Sequence, residues 1–160
     1  MRQIFVSVDI IAPLFWWKEF DTYKVSTVRN SCSTMHKIHV KSFEPDDFTH
    51  VGIDEVGGIV KEAFDKDLEA LEWCRDKFNE TKEKKYWRAI IELLPDGYDM
   101  RATVTFNYEN LLGMCSKGQR RFHKQNEWSG LDYPDEENFI SLIRTVPYAQ
   151  ELIFIDELEE

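Results

Sequence analysis

Between Lys117 and Lys124 the chain gathers Lys117, Arg120, Arg121, His123 and Lys124, followed by Gln125 and Glu127. Two adjacent arginines on a loop after a helix supply planar guanidinium donors that fit a phosphate or carboxylate. The same cations also suit an ordinary helix C-terminus, where the helix dipole favours positive charge. A second group is Cys32, His36 and His39, spaced as three zinc ligands could be. A structural zinc site needs a fourth ligand and a catalytic one an open position. There is no Cys-x-x-Cys pair and no evident distant ligand, so the expectation is no metal. A thiol nucleophile would need one of Cys32, Cys74 and Cys115 beside one of four histidines. Cys74 and Cys115 fall on apolar helix faces and read as core residues. Gly57-Gly58 lacks the further glycines of a phosphate-binding or dinucleotide loop.

The elements that must position these residues can be read from periodicity. Residues 3–10 alternate, with Ile4, Val6 and Val8 on one face, as a strand does. Pro13 can open a helix carrying Trp16, Phe20 and Tyr23. Residues 22–28, with Thr22, Val25, Thr27 and Val28, favour an extended segment. Residues 31–42 are polar and carry no clear period. Glu44-Pro45-Asp46-Asp47 reads as a turn or helix start. After Gly57-Gly58, Val60, Phe64, Leu68, Leu71, Cys74 and Phe78 recur at helical steps over about five turns. A second helix runs from Lys84 to Leu94 and is stopped by Pro95-Asp96-Gly97. Ala102, Val104 and Phe106 alternate with polar residues as a strand. Asn107 can cap the helix that follows, which carries Leu111, Leu112 and Cys115. Trp128 to Pro134 reads as a loop, and Phe139, Leu142, Ile143 and Val146 as a final helix ended by Pro147. About three strands and five helices in mixed order give an α+β class, a mixed β-sheet flanked by helices.

The chain has 160 residues, 42% hydrophobic and 14% aromatic. That supports one core, read as a single domain over residues 1–155 with a solvated acidic tail at 156–160. With 30 acidic against 20 basic residues the net charge is −10. Such a field opposes bulk nucleic acid and anionic membranes, yet leaves room for a small anion in a local basic pocket. No apolar run approaches a membrane span, and the first residues lack a signal-peptide layout. An odd, scattered set of cysteines fits a reducing cytoplasm.

The segment from Trp87 to Glu127 resembles the C-terminal half of the flavin-dependent thymidylate synthases, the ThyX family. Glu92-Leu93-Leu94-Pro95 is similar to that family's Glu-Leu-Leu-Pro. Asn107 follows Pro95 at the family's distance, opening a helix where the family has Asn-Leu-Arg-x-x-Leu. His123-Lys124-Gln125-Asn126-Glu127 resembles its His-Ala-Gln-x-Glu after a one-residue insertion. Phe139 to Leu152 looks like its closing helix. Aligned at Ser31, the N-terminal signature of Arg-His-Arg and downstream serines meets Asp21-Thr22-Tyr23, Ser26 and Ser31. The serines fit and the three basic residues are replaced. The family's nucleotide-binding Arg falls on Gln119, beside Arg120 and Arg121. The Leu-Leu-Pro and Pro-Tyr pieces also resemble short phage proteins.

The resemblance implies a thymidylate-synthase-complementing-protein-like fold and a nucleotide pocket of Ser26, Ser31, Asn107, Arg120, Arg121, His123 and Gln125. It implies FAD as a cofactor and dUMP as a substrate for an active member. It also implies a homo-oligomer, tetramer or dimer, in the cytoplasm of a bacterial host cell, with a phage or prophage origin. Each charge-assisted hydrogen bond lost with the signature's basic residues is worth about 1.5–3 kcal/mol. Two such losses weaken binding by roughly two to four powers of ten. The chain is also shorter than a typical member. The expectation is therefore a protein that binds or sequesters a nucleotide without synthase turnover, an anti-defence role being one use of such binding. Two alternatives stay open, an active FAD-dependent synthase methylating dUMP and an acidic protein–protein inhibitor with no ligand.

Overall fold

A computed structural model of the chain describes residues 1–31, 34–116 and 121–158. Its strands and helices, in chain order, are β1 (Phe5–Pro13), α1 (Leu14–Phe20), β2 (Val28–Ser31), α2 (Thr34–Lys37), α3 (Val51–Val56), α4 (Gly58–Thr81), α5 (Lys84–Leu93), β3 (Asp99–Asn107), α6 (Tyr108–Cys115), α7 (Asn126–Ser129), α8 (Phe139–Arg144) and α9 (Ala149–Leu152). The strands form one antiparallel sheet in the order β1-β3-β2. The class is α+β. The chain has two compact units, residues 1–10, 16–30 and 101–160, and residues 11–15 and 31–100.

The first unit holds most of the sheet. Its register follows from cross-strand partners: Tyr108 N–H donates to the Ile4 carbonyl at 3.0 Å, and the Ser7 and Thr105 hydroxyls meet at 2.6 Å. Asp9 accepts from Thr103 at 2.5 Å and pairs with Arg101. Partner numbers fall on β3 as they rise on β1, which is antiparallel pairing. The alternation read in the sequence puts Ala102, Val104 and Phe106 inward, all buried. Against them packs an aromatic cluster. Trp16 stacks on Phe20 at 5.4 Å between centroids, and Trp128 lies 5.3 Å from Trp16 and 5.0 Å from Phe139.

The second unit is built on the paired helices α4 and α5. Phe64, Leu71 and Cys74 of α4 and Ile90 of α5 form its core with Ile38, Phe43 and Phe48. The segment before α4 is tied down by polar bonds to its helices. Phe43 N–H donates to Glu72 at 3.0 Å, Asn79 to the His39 carbonyl at 3.0 Å, and Trp87 Nε1 to the Met35 carbonyl at 3.2 Å.

Several expected elements differ. Residues 22–27 turn rather than extend, because Thr27 N–H donates back to the Lys24 carbonyl at 2.9 Å. The strand is confined to Val28–Ser31. The loop expected at Trp128 is one short helical turn, with Gly130 as its left-handed cap at φ 68°. Asp156 and Glu157, expected in a solvated tail, lie in a 3₁₀ turn and make ion pairs with Arg121.

Candidate functional site

Helix α6 sets the site by its two faces. Tyr108, Leu111 and Cys115 are buried, while Glu109, Asn110 and Gly113 fall on the other side at three- and four-residue steps. Asn107 starts the helix as the sequence predicts. Its Oδ1 accepts the Asn110 N–H at 2.9 Å, and the Asn110 side chain answers the Asn107 N–H at 3.4 Å. The Asn110 Nδ2 also donates to the Val25 carbonyl at 2.7 Å. That bond fastens the 24–27 turn to the helix. Between turn and helix lies an open cleft of about 770 Å³, lined by Thr22, Tyr23, Ser26, Asn107, Asn110 and Gly113 among others.

Among the described residues, the cleft is close to neutral. Arg2 and Glu109, both lining it, form a bidentate ion pair. The Arg2 hydrogen bond holds the Glu109 carboxyl below the ordinary carboxylate range. Behind the cleft, the Tyr23 hydroxyl donates to Glu19 at 2.7 Å, and His123 Nε2 faces the same carboxylate oxygen at 3.4 Å. His123 Nδ1 accepts the Gln125 N–H at 3.1 Å. A neutral imidazole in that setting carries its proton on Nε2, towards Glu19.

The sequence-predicted residues are thus distributed. Ser26 and Asn107 share the cleft. His123 stands behind Tyr23, and Gln125 caps α7 with its Oε1 buried and unpartnered among the described residues. Ser31 ends β2 and is exposed. Arg120 lies outside the described residues, as do Lys117, Gln119 and Cys32. Arg121 is buried, and its charge is committed within the fold. Its Nε donates to the Cys115 carbonyl at 3.1 Å, and its terminal nitrogens pair with Asp156 and, at 2.9 Å, with Glu157.

Among the described residues no three His, Cys, Asp or Glu side chains group as a metal site. Burial pushes the Cys115 thiol up to about 12, so it stays protonated at neutral pH. Cys74 is also buried and its thiol raised by desolvation. No helix among the described residues is long and apolar enough to cross a membrane.

Arg2, Phe5, Glu109, Asn110 and Gly113 line the cleft without having been singled out by sequence. Counting three and six residues on from the Asn107 cap would have found Asn110 and Gly113. Nothing local marks Arg2 or Phe5, which arrive through the pairing of β1 with β3. Ser26 carries a left-handed backbone at φ 68°, a conformation glycine adopts without strain. Ser26→Gly should therefore leave stability unchanged or raise it by up to about 1 kcal/mol, whereas Ser26→Val should cost about 1–2 kcal/mol. Urea titration of both variants checks this, and a stable Ser26→Val would contradict the turn geometry.

Searches against protein-family models, curated proteins and solved structures find no match for this chain.

Proposed function

We propose that this chain is a nucleotide-binding protein, ThyX-like in descent, that holds its ligand in the cleft between the 22–26 turn and α6 without synthase turnover. One observation carries the reading. Thr22, Tyr23 and Ser26, which align with the family's N-terminal signature, line the same cleft as Asn107, more than eighty residues away in the chain. Two segments singled out by resemblance alone thus share one cleft wall, which supports a common ligand.

Binding suits the geometry better than catalysis. The one carboxylate on the cleft wall among the described residues, Glu109, is held by Arg2. His123 is held between the Gln125 N–H and Glu19. Neither stands ready as a general acid or base. The described cleft residues also do not fit FAD. Its pyrophosphate calls for uncommitted guanidinium or backbone donors, and Arg2 is already paired.

Thermal unfolding of the full chain with a panel of ribo- and deoxyribonucleotides, and separately with FAD, tests the reading. A ligand at a hundred times its Kd adds about 2.7 kcal/mol. For a chain of this size that is roughly 5–10 °C in Tm. At least one nucleotide should do this with no chemical change to it, and FAD should not. If no nucleotide shifts the transition, the binding reading fails. Yellow colour retained through purification would favour the synthase instead.

A further inference from the structure

We infer that the cleft grips its ligand through the uncharged nucleoside portion, the ring lying over bare backbone at Gly113, while any phosphate stays in solvent. This rests on the nucleotide-binding reading and goes further by naming the part of the ligand that is recognised.

Gly113 sits within α6 on its exposed side. Its backbone is helical rather than left-handed. A Cβ built there would meet nothing within 4 Å. Neither a turn nor close packing inside the chain therefore calls for glycine, which weakens a helix interior. The residue lines the cleft, so the space left by its missing side chain is space for something from outside. A flat ring is the group that gains most from lying on bare helical backbone.

Asn107 supplies the polar contact. It is only 7% exposed, and its Oδ1 is engaged by the Asn110 N–H. Its Nδ2 has no partner among the described residues, although the residue forms part of the cleft wall. An amide donor that the fold leaves unused on the cleft wall can be matched by a ligand acceptor, such as a ring carbonyl or a sugar oxygen. Phe5, 64% exposed and also lining the cleft, adds an aromatic face that water covers poorly. Against this, the one cation on the cleft wall among the described residues is neutralised. Arg2 and Glu109 form an exposed pair, so a phosphate drawn to the guanidinium meets the carboxylate as well. Exposed ion pairs contribute little in water.

Isothermal titration of the full chain with uridine, cytidine, thymidine, adenosine, guanosine and their 5′-monophosphates tests the inference. At least one nucleoside should bind, and its monophosphate should match its Kd to within about fivefold. Gly113→Leu should weaken that nucleoside by at least about tenfold while its Tm stays at or above the wild-type value, because leucine is the better helix former. Gly113→Ala, adding one methyl group, should fold equally well and bind less weakly than the leucine variant. Arg2→Ala should leave the monophosphate affinity within about fivefold.

A monophosphate that binds more than about tenfold tighter than its nucleoside overturns the inference and leaves nucleotide binding intact. Wild-type affinity in folded Gly113→Leu does the same. If neither nucleosides nor monophosphates bind, both the inference and the function proposed above fall.

Discussion

Replacing Trp128 with alanine should destabilise the chain by about 4 kcal/mol. Trp128 is fully buried in the first unit. Its ring lies 5.3 Å from Trp16, 5.0 Å from Phe139, 5.5 Å from Tyr23 and 5.4 Å from His123, centroid to centroid. Truncating a buried aromatic of this kind costs about 3–5 kcal/mol in lost transfer energy and residual cavity. Edge and tilted ring contacts add about 0.5–1.5 kcal/mol per pair. The indole N–H contact with the Met114 carbonyl is long, at 3.4 Å, so packing dominates over hydrogen bonding. Against a typical total of about 5–15 kcal/mol, one residue would carry a large share. The midpoint of urea unfolding should fall with little change in m. Trp128→Phe keeps part of the ring contact and should cost about 1–2 kcal/mol. A Trp128→Ala loss below about 2 kcal/mol would mean that the aromatic cluster is not the keystone of this unit.

The same residue bears on the cleft. Tyr23 and Met114 line it, and both touch Trp128. At temperatures where Trp128→Ala is still folded, ligand affinity should drop as the wall loses its backing. Trp128→Phe should retain most of it.

What the sequence discloses follows the length of each element. Helices α4 and α5 and strand β3 are long enough for a period to be counted, and each lies within a few residues of where the pattern puts it. Helices α3, α7 and α9 run 6, 4 and 4 residues. That is too short for a stripe to repeat, and packing decides them. The cap at Asn107 was legible because capping is local chemistry, complete within three residues. The left-handed turn at Ser26 was not, because nothing in Lys24-Val25-Ser26-Thr27 demands it. The Asn110 amide bond to Val25 helps hold it.

The place of Arg121 is hidden in the sequence for the same reason. Density along the chain says that Arg121 is cationic and nothing about what neutralises it. Its partners are thirty-five and thirty-six residues further on. The cleft itself needs β1 paired with β3 before Arg2 and Phe5 can reach α6, and strand pairing is non-local information.

Arg121→Met should cost about 3 kcal/mol, the usual penalty for removing one partner of a buried ion pair. The guanidinium side chain is only 9% exposed and serves the Cys115 carbonyl as well as Asp156 and Glu157. It also lies over the Phe154 ring, 5.3 Å from its centroid, with Arg144 over the same ring at 4.1 Å. Methionine restores some of the packed volume but leaves Asp156 and Glu157 with less positive charge near them. The acid limb of stability should report the same cluster. The Arg144 hydrogen bond, ahead of other causes, lowers the Glu157 carboxyl from its ordinary 4.5. A carboxyl depressed in the folded state binds its proton more readily unfolded. Its stabilisation is therefore complete above the ordinary value and drains away as pH falls through the depressed one. Wild-type stability should decline below about pH 4.5, and Glu157→Gln should flatten part of that decline. Urea midpoints from pH 7 to 3 for the wild type, Arg121→Met and Glu157→Gln measure all of this. Because the Arg121 charge is spent inside the fold, folded Arg121→Met should bind nucleoside and nucleotide as the wild type does. A selective loss of nucleotide affinity would return Arg121 to the ligand.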